Sequence, residues 1–216
     1  MIKAVIFDMD GLMIDSERVT FECYQEVLKD MNLSMSEEFY KTLLGKTIAT
    51  ATKAMHEQYG NDFPVQEVVD QVHVLMNERF EKEGVPVKKG LIDLLKYLKE
   101  NNYKTIVATS SHRNRVDKIL TQANIYQYFD DSICGDEVEN GKPNPEVFLK
   151  SCQKLGVNTD EAIVLEDSEA GIQAAHSGNI SVICIPDMKY PEETYAKMTT
   201  CIFDSLDHVI DYLKQC

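Results

Sequence analysis

The sequence predicts an α/β protein: a doubly wound, Rossmann-like parallel sheet with a helical domain inserted after its first strand. Three observations predict it. From Val87 onward short apolar runs alternate with helical stripes, which implies a parallel sheet covered on both faces. Between Asp15 and Val85 the pattern is helical throughout, with no β-rich alternation. Residues 3–7 form a short apolar run that stops at the Asp-x-Asp pair Asp8 and Asp10.

The first run is too brief for a helix and reads as a strand, after which Gly11 lets the backbone turn sharply. In the insert Phe21, Tyr24, Leu28 and Met31 recur at helical spacing. Ile48, Ala51, Met55 and Tyr59 do the same, and Val65, Val68, Val72, Leu75 and Met76 make a third stripe. Ser36 and Thr47 are placed as N-caps, and Pro64 suits a first turn. Gly90 opens a helix with Leu91, Leu94, Leu95 and Leu98 on one face. A strand over 104–109 precedes a helix carrying Val116, Ile119, Leu120 and Ala123. Strands near 132–134, 162–165 and 181–185 then alternate with helices near 145–155 and 169–177. A strand near 201–203 and a helix over 206–214 close the chain. The expected division is a catalytic core of 1–14 and 86–216 with a helical domain of 15–85, hinged at 13–16 and 84–86.

Composition bounds the function. With 216 residues and 44% apolar content the chain can bury a proper core. A formal charge of −14 argues against a general nucleic-acid or anionic-membrane binder. The apolar run at the N-terminus breaks at Asp8, so no signal peptide is expected, and no stretch approaches membrane-spanning length. The six cysteines, Cys23, Cys134, Cys152, Cys184, Cys201 and Cys216, are scattered without a C-x-x-C. They read as reduced thiols in a cytoplasmic protein rather than a disulfide framework or zinc site.

The chemistry-bearing residues fall at the ends of the apolar strands, where ligands of parallel sheets bind. Asp8 and Asp10 leave the first strand on the same side, and two anions held that close need a cation or a shared proton. Three later segments accompany them: Val107-Ala108-Thr109-Ser110-Ser111, Gly141-Lys142-Pro143-Asn144-Pro145, and Val164-Leu165-Glu166-Asp167-Ser168-Glu169-Ala170-Gly171. Taken singly, each has a plainer reading as a turn, a helix cap or a solvated loop.

Together and in this order, the four segments resemble the haloacid dehalogenase-like hydrolase superfamily. The likeness is to its branch of helical-capped sugar-phosphate phosphatases and β-phosphoglucomutases, and it covers nearly the whole chain. The resemblance implies that Asp8 is a nucleophile forming an aspartyl-phosphate and Asp10 the general acid and base. It implies Mg2+ held by the Asp8 side chain, the Asp10 carbonyl and Asp167, with Glu166 as a further ligand or an outer partner. Thr109 and the amides of Ser110, Gly11 and Leu12 would hold the phosphoryl oxygens, and Lys142 would place a positive charge on them. Glu17 and Lys46 in the cap are candidates for contacting the leaving group, Ser111 for binding substrate, and His112 and Arg113, after the second motif, for reaching a sugar hydroxyl or a second phosphate. The first strand would lie between the strands ending at Thr109 and Asp167, and the insert would be the family's cap.

The expected activity is that of a magnesium-dependent phosphatase acting on a small phosphorylated sugar or similar monoester, as a monomer. The alternative is a β-phosphoglucomutase-type phosphohexomutase, which shares every core residue. That pattern has a histidine where this chain has Thr20 and an arginine where it has Ile48, so hydrolysis is expected. A phospho-acceptor signalling module also gathers carboxylates, a hydroxyl and a lysine, but lacks an acid two residues after the acceptor and lacks the insert.

Overall fold

The computed structural model describes residues 1–215; Cys216 lies outside the described residues. The chain divides into two compact units, one of Met1–Asp15 with the chain from Val85 onward, the other Ser16–Gly84.

The first unit is built on a six-stranded parallel sheet: β1 (Ala4–Phe7), β2 (Lys104–Ala108), β3 (Asp131–Ile133), β4 (Ala162–Glu166), β5 (Ser181–Cys184) and β6 (Cys201–Ile202). Their order is β3-β2-β1-β4-β5-β6, so β1 is central, with β2 and β4 on either side. The order reverses there, which makes the carboxyl end of β1 the switch point. β1 and β4 are buried at every residue, which explains why both read as unbroken apolar runs rather than as alternation. Register ties the strand ends together: Phe7 pairs with Val107 and with Leu165. Asp8 therefore emerges at the level of Ala108 and Glu166.

Helices α5 (Leu91–Glu100), α6 (Arg113–Gln122), α7 (Glu146–Leu155), α8 (Glu169–Ser177), α9 (Glu193–Ala196) and α10 (Asp207–Leu213) belong to this unit. α5 turns Leu91, Leu94, Leu95 and Leu98 inward behind Gly90, its left-handed N-cap, as the leucine stripe predicts. α7 sends Val147, Phe148 and Cys152 into the core shared by β1, β2 and β4. Cys23, Cys134, Cys152 and Cys184 are buried thiols.

The second unit is four helices: α1 (Ser16–Asp30), α2 (Glu37–Leu43), α3 (Ile48–Tyr59) and α4 (Val65–Glu83). Ser36 and Thr47 cap α2 and α3 through their hydroxyls, accepting from the amides of Phe39 and Thr50. Aromatic rings pack among its aliphatic side chains: Tyr40 lies on Phe21 and Tyr24 at 5.3 and 5.9 Å between ring centres, and Tyr59 on Phe63 at 4.7 Å. Two expectations are corrected. Met31, placed on the first stripe, lies just past the end of α1 and is 38% exposed. Ile48, placed on the inward stripe of α3, is 85% exposed, and only Met55 of that helix is buried. It is the first residue of the helix, and so lies at the edge of any face the stripe covers. Among the described residues no helix is long and apolar enough to cross a membrane.

Candidate active site

Four carboxylates and two cations meet at the carboxyl end of β1. Asp8 follows the strand directly and is buried, its amide donating to the Leu165 carbonyl at 3.0 Å. Lys142, in the loop before α7, lies with its side chain only 5% exposed. Its ammonium donates to Asp8 at 2.5 Å, to Glu166 Oε1 at 2.7 Å and to the Ala108 carbonyl at 3.1 Å, so all three protons are used. The Phe148 ring lies 4.8 Å away and supplies a cation–π contact.

Glu166 is fully buried at the end of β4. Its second oxygen accepts from the amide and the hydroxyl of Ser168, at 2.7 and 2.9 Å. Ser168 in turn caps α8 by accepting from the Gly171 amide at 3.1 Å. A β-carbon at Gly171 would fall 1.7 Å from Glu166 Oε1, so the helix approaches this closely only because the residue has no side chain. Gly11 answers the same need on the other side. It holds a φ of 82°, and a β-carbon there would meet Asp167 Oδ2 at 2.2 Å.

Asp8, Glu166 and Asp167 each offer an oxygen within 4.8 Å of the others, a set of hard donors that fits a small divalent cation. Charge favours the same conclusion. Lys142 is paired with two buried carboxylates at once, Asp8 and Glu166, and Asp167 lies within reach of both. Burial is the main reason the Asp8 carboxyl is pushed up to about 7; the Glu166 and Asp10 charges add to it and Lys142 opposes it. Burial also pulls on the Lys142 ammonium, but Asp8 and Glu166 outweigh that and raise its pKa above the ordinary lysine value. The lysine stays charged and the carboxylates crowd it.

Asp10 is half-buried, with Oδ2 accepting from the Ser111 hydroxyl at 2.8 Å and Oδ1 from the Arg115 guanidinium. Thr109 is buried after β2, and its hydroxyl accepts from the Ser111 amide at 3.1 Å. Ser111 thus links the second motif to the first. Ser110 is exposed, and His112 caps α6 with its ring turned to solvent, 82% exposed and 3.8 Å from Asp136.

Two sequence expectations are corrected. Arg113 does not point to the acidic cluster: it donates to Ser132 and to Glu137, and lies 3.5 Å from Asp117. The arginine that reaches Asp10 is Arg115. The two are separated by about 200° around the helix, so only one of them can face the site. The Gly11 amide was expected to hold a phosphoryl oxygen, but it donates to the Ile14 carbonyl at 3.0 Å within its own turn. Leu12 is buried beside it. Glu17 and Lys46 belong to the helical unit, where Glu17 accepts from the Tyr40 hydroxyl at 2.7 Å and Lys46 is exposed.

Comparison with known proteins gives the family and the fold. The family model described as haloacid dehalogenase-like hydrolase matches residues 5–185. A phosphorylated carbohydrates phosphatase of Thermotoga maritima is 30% identical over 181 residues, covering 84% of this chain and 83% of its own. A haloacid dehalogenase family hydrolase of Deinococcus radiodurans, solved with bound phosphate and sodium, superposes with a TM-score of 0.85 at 21% identity, over 99% of this chain and 96% of that one. A β-phosphoglucomutase of Clostridium difficile superposes at 0.74 with 23% identity, over 100% and 96%.

Proposed function

The chain belongs to the haloacid dehalogenase-like hydrolases and is a phosphoric monoester hydrolase of that family, and we propose that it hydrolyses a small phosphorylated carbohydrate through an aspartyl-phosphate on Asp8. The observation that carries this reading is the three-way grip of Lys142 on Asp8, Glu166 and Ala108 at the sheet's switch point. It fixes a carboxylate oxygen at the strand end beside a charge that can receive a phosphoryl group.

Asp8 attacks phosphorus, the ester P–O bond breaks, and the leaving oxygen takes a proton from Asp10. Water then attacks the same phosphorus, Asp10 takes its proton, and the acyl-phosphate bond breaks to return the Asp8 carboxylate and free phosphate. Lys142 neutralises the equatorial oxygens in both steps, and the Thr109 hydroxyl and the amides of Ser110 and Leu12 complete their cradle. Mg2+ would be held by Asp8, the Asp10 carbonyl and Asp167, and when bound it screens the phosphate from the carboxylates. Glu166 stands behind them: with Lys142 on one oxygen and Ser168 on the other, it is suited to orient the lysine. We assign the choice of leaving group to the helical unit, with Glu17 and Lys46 as its candidate residues.

The test is phosphate release across a panel of phosphorylated sugars with magnesium. D8N should abolish turnover and D10N should slow it by about 10²–10⁴-fold. Glucose 6-phosphate building up faster than free phosphate from β-glucose 1-phosphate and a trace of the bisphosphate would instead make the protein a mutase. Near wild-type release by folded D8N would overturn the assignment.

A further inference from the structure

Arg115 has no part in the phosphoryl transfer derived above, yet it is bonded to the acid that the transfer needs. One terminal nitrogen of its guanidinium donates to Asp10 Oδ1. The other terminal nitrogen is buried and has no hydrogen-bond partner. A buried donor left unfilled is costly, and a guanidinium cannot relieve the cost by losing its proton. The side chain as a whole is 30% exposed.

Asp10 is committed on both oxygens, to Arg115 on one and to Ser111 on the other. In that geometry both oxygens face donors of the protein rather than a leaving group. To act as an acid it must let go of Arg115, which leaves both terminal nitrogens of the guanidinium unsatisfied beside the site. A replacement anion solves both problems at once. We infer that Arg115 recognises a carboxylate of the substrate, which takes the place of Asp10 on the guanidinium and releases Asp10 to the ester oxygen.

The occupant is a carboxylate because that position already receives one, and because the planar guanidinium can donate to two oxygens side by side. Its place in the substrate follows from reach. Asp10 touches Arg115 and must also touch the leaving oxygen, so the two points lie within one carboxyl swing of each other. The carboxylate therefore sits on the carbon bearing the ester oxygen or on the next one. The substrate class is the phosphate monoesters of small hydroxy acids or sugar acids. This rests on the phosphatase reading and narrows it.

A matched pair of substrates tests it. 2-Phosphoglycerate and glycerol 2-phosphate present the same secondary ester, and differ in having a carboxylate or a hydroxymethyl beside it. The wild-type kcat/KM should favour 2-phosphoglycerate by about tenfold or more, as expected for a charge-assisted pair. In R115M that ratio should fall to about one or below, and R115K should recover part of it. A mere misplacement of Asp10 scales both substrates alike and leaves the ratio unchanged. R115Q gives the same readout should R115M fail to fold. A ratio unchanged in the variants, no wild-type preference, or no release from either substrate while other monoesters turn over, would overturn the inference. No release from any monoester would overturn the phosphatase reading itself, and this inference with it.

Discussion

The two units of this chain use charge in opposite ways. In the α/β unit the charges that matter are inside: Asp8, Glu166 and the Lys142 side chain are buried at the ends of strands that are themselves wholly buried. In the helical unit they are outside. Its helices carry exposed pairs such as Lys41–Glu37 and Lys53–Glu57, and its core is apolar side chains such as Phe21, Leu28, Tyr40, Val72 and Phe80. Exposed pairs of this kind contribute little, whereas a buried ammonium shared by two carboxylates tolerates almost no change. The difference teaches where variation is tolerated. The α/β unit holds a buried ion cluster that tolerates little exchange, and the helical unit offers a surface on which side chains can be exchanged.

The contrast breaks first at Lys142. K142M leaves two buried carboxylates without their cation, so it should cost about 3–5 kcal/mol of stability and about 10²–10³-fold in turnover. Denaturant unfolding and phosphate release measure the two. A loss below about 1 kcal/mol would mean the grip is not a structural element. G171A should come next, at about 1–3 kcal/mol, because its methyl group would overlap the Glu166 carboxylate. Its loss of activity should follow the displaced Lys142, which a pH-rate profile and thermal denaturation separate from simple unfolding.

A smaller effect concerns pH and metal. The Asp8 carboxyl stands near 7 in the folded protein against an ordinary value of 3.8, so folding favours its protonated form. That contribution is present below the unfolded value and is lost as the pH rises through about 7. A divalent cation needs the ionised form, so the rise in Tm caused by magnesium should be larger at about pH 8 than at about pH 5.5. An equal shift at both would separate Asp8 from the metal. The smallest effect belongs to the helical surface: I48S should change stability by less than about 0.5 kcal/mol, read by the same denaturant curves.

Much of the α/β unit was legible in the sequence. Six short runs became six strands, and the central ones, β1 and the buried stretch of β4 before Glu166, announce themselves as unbroken apolar runs. The positions of Asp8, Thr109 and Asp167 followed, since each comes directly after such a run. Lys142 was found by its place between motifs, but its grip on Glu166 was not, because no spacing encodes a contact between a loop and a neighbouring strand. Arg115 was missed for a definite reason. Arg113 and Arg115 point to opposite sides of α6, and sequence alone does not say which side faces β1. Ile48 was misplaced because periodicity reports a stripe, not where along the helix the covering partner ends.

The central claim is that Asp8 carries the phosphoryl group, and it has a direct test. Protein mixed with a substrate it turns over and magnesium is quenched in acid within milliseconds, digested, and weighed by mass spectrometry. One added phosphoryl group is expected on the peptide containing Asp8, appearing before free phosphate and absent from D8N. Phosphate released at the full rate with that peptide unmodified at every quench time, or a phosphoryl group carried on any other residue, would contradict it.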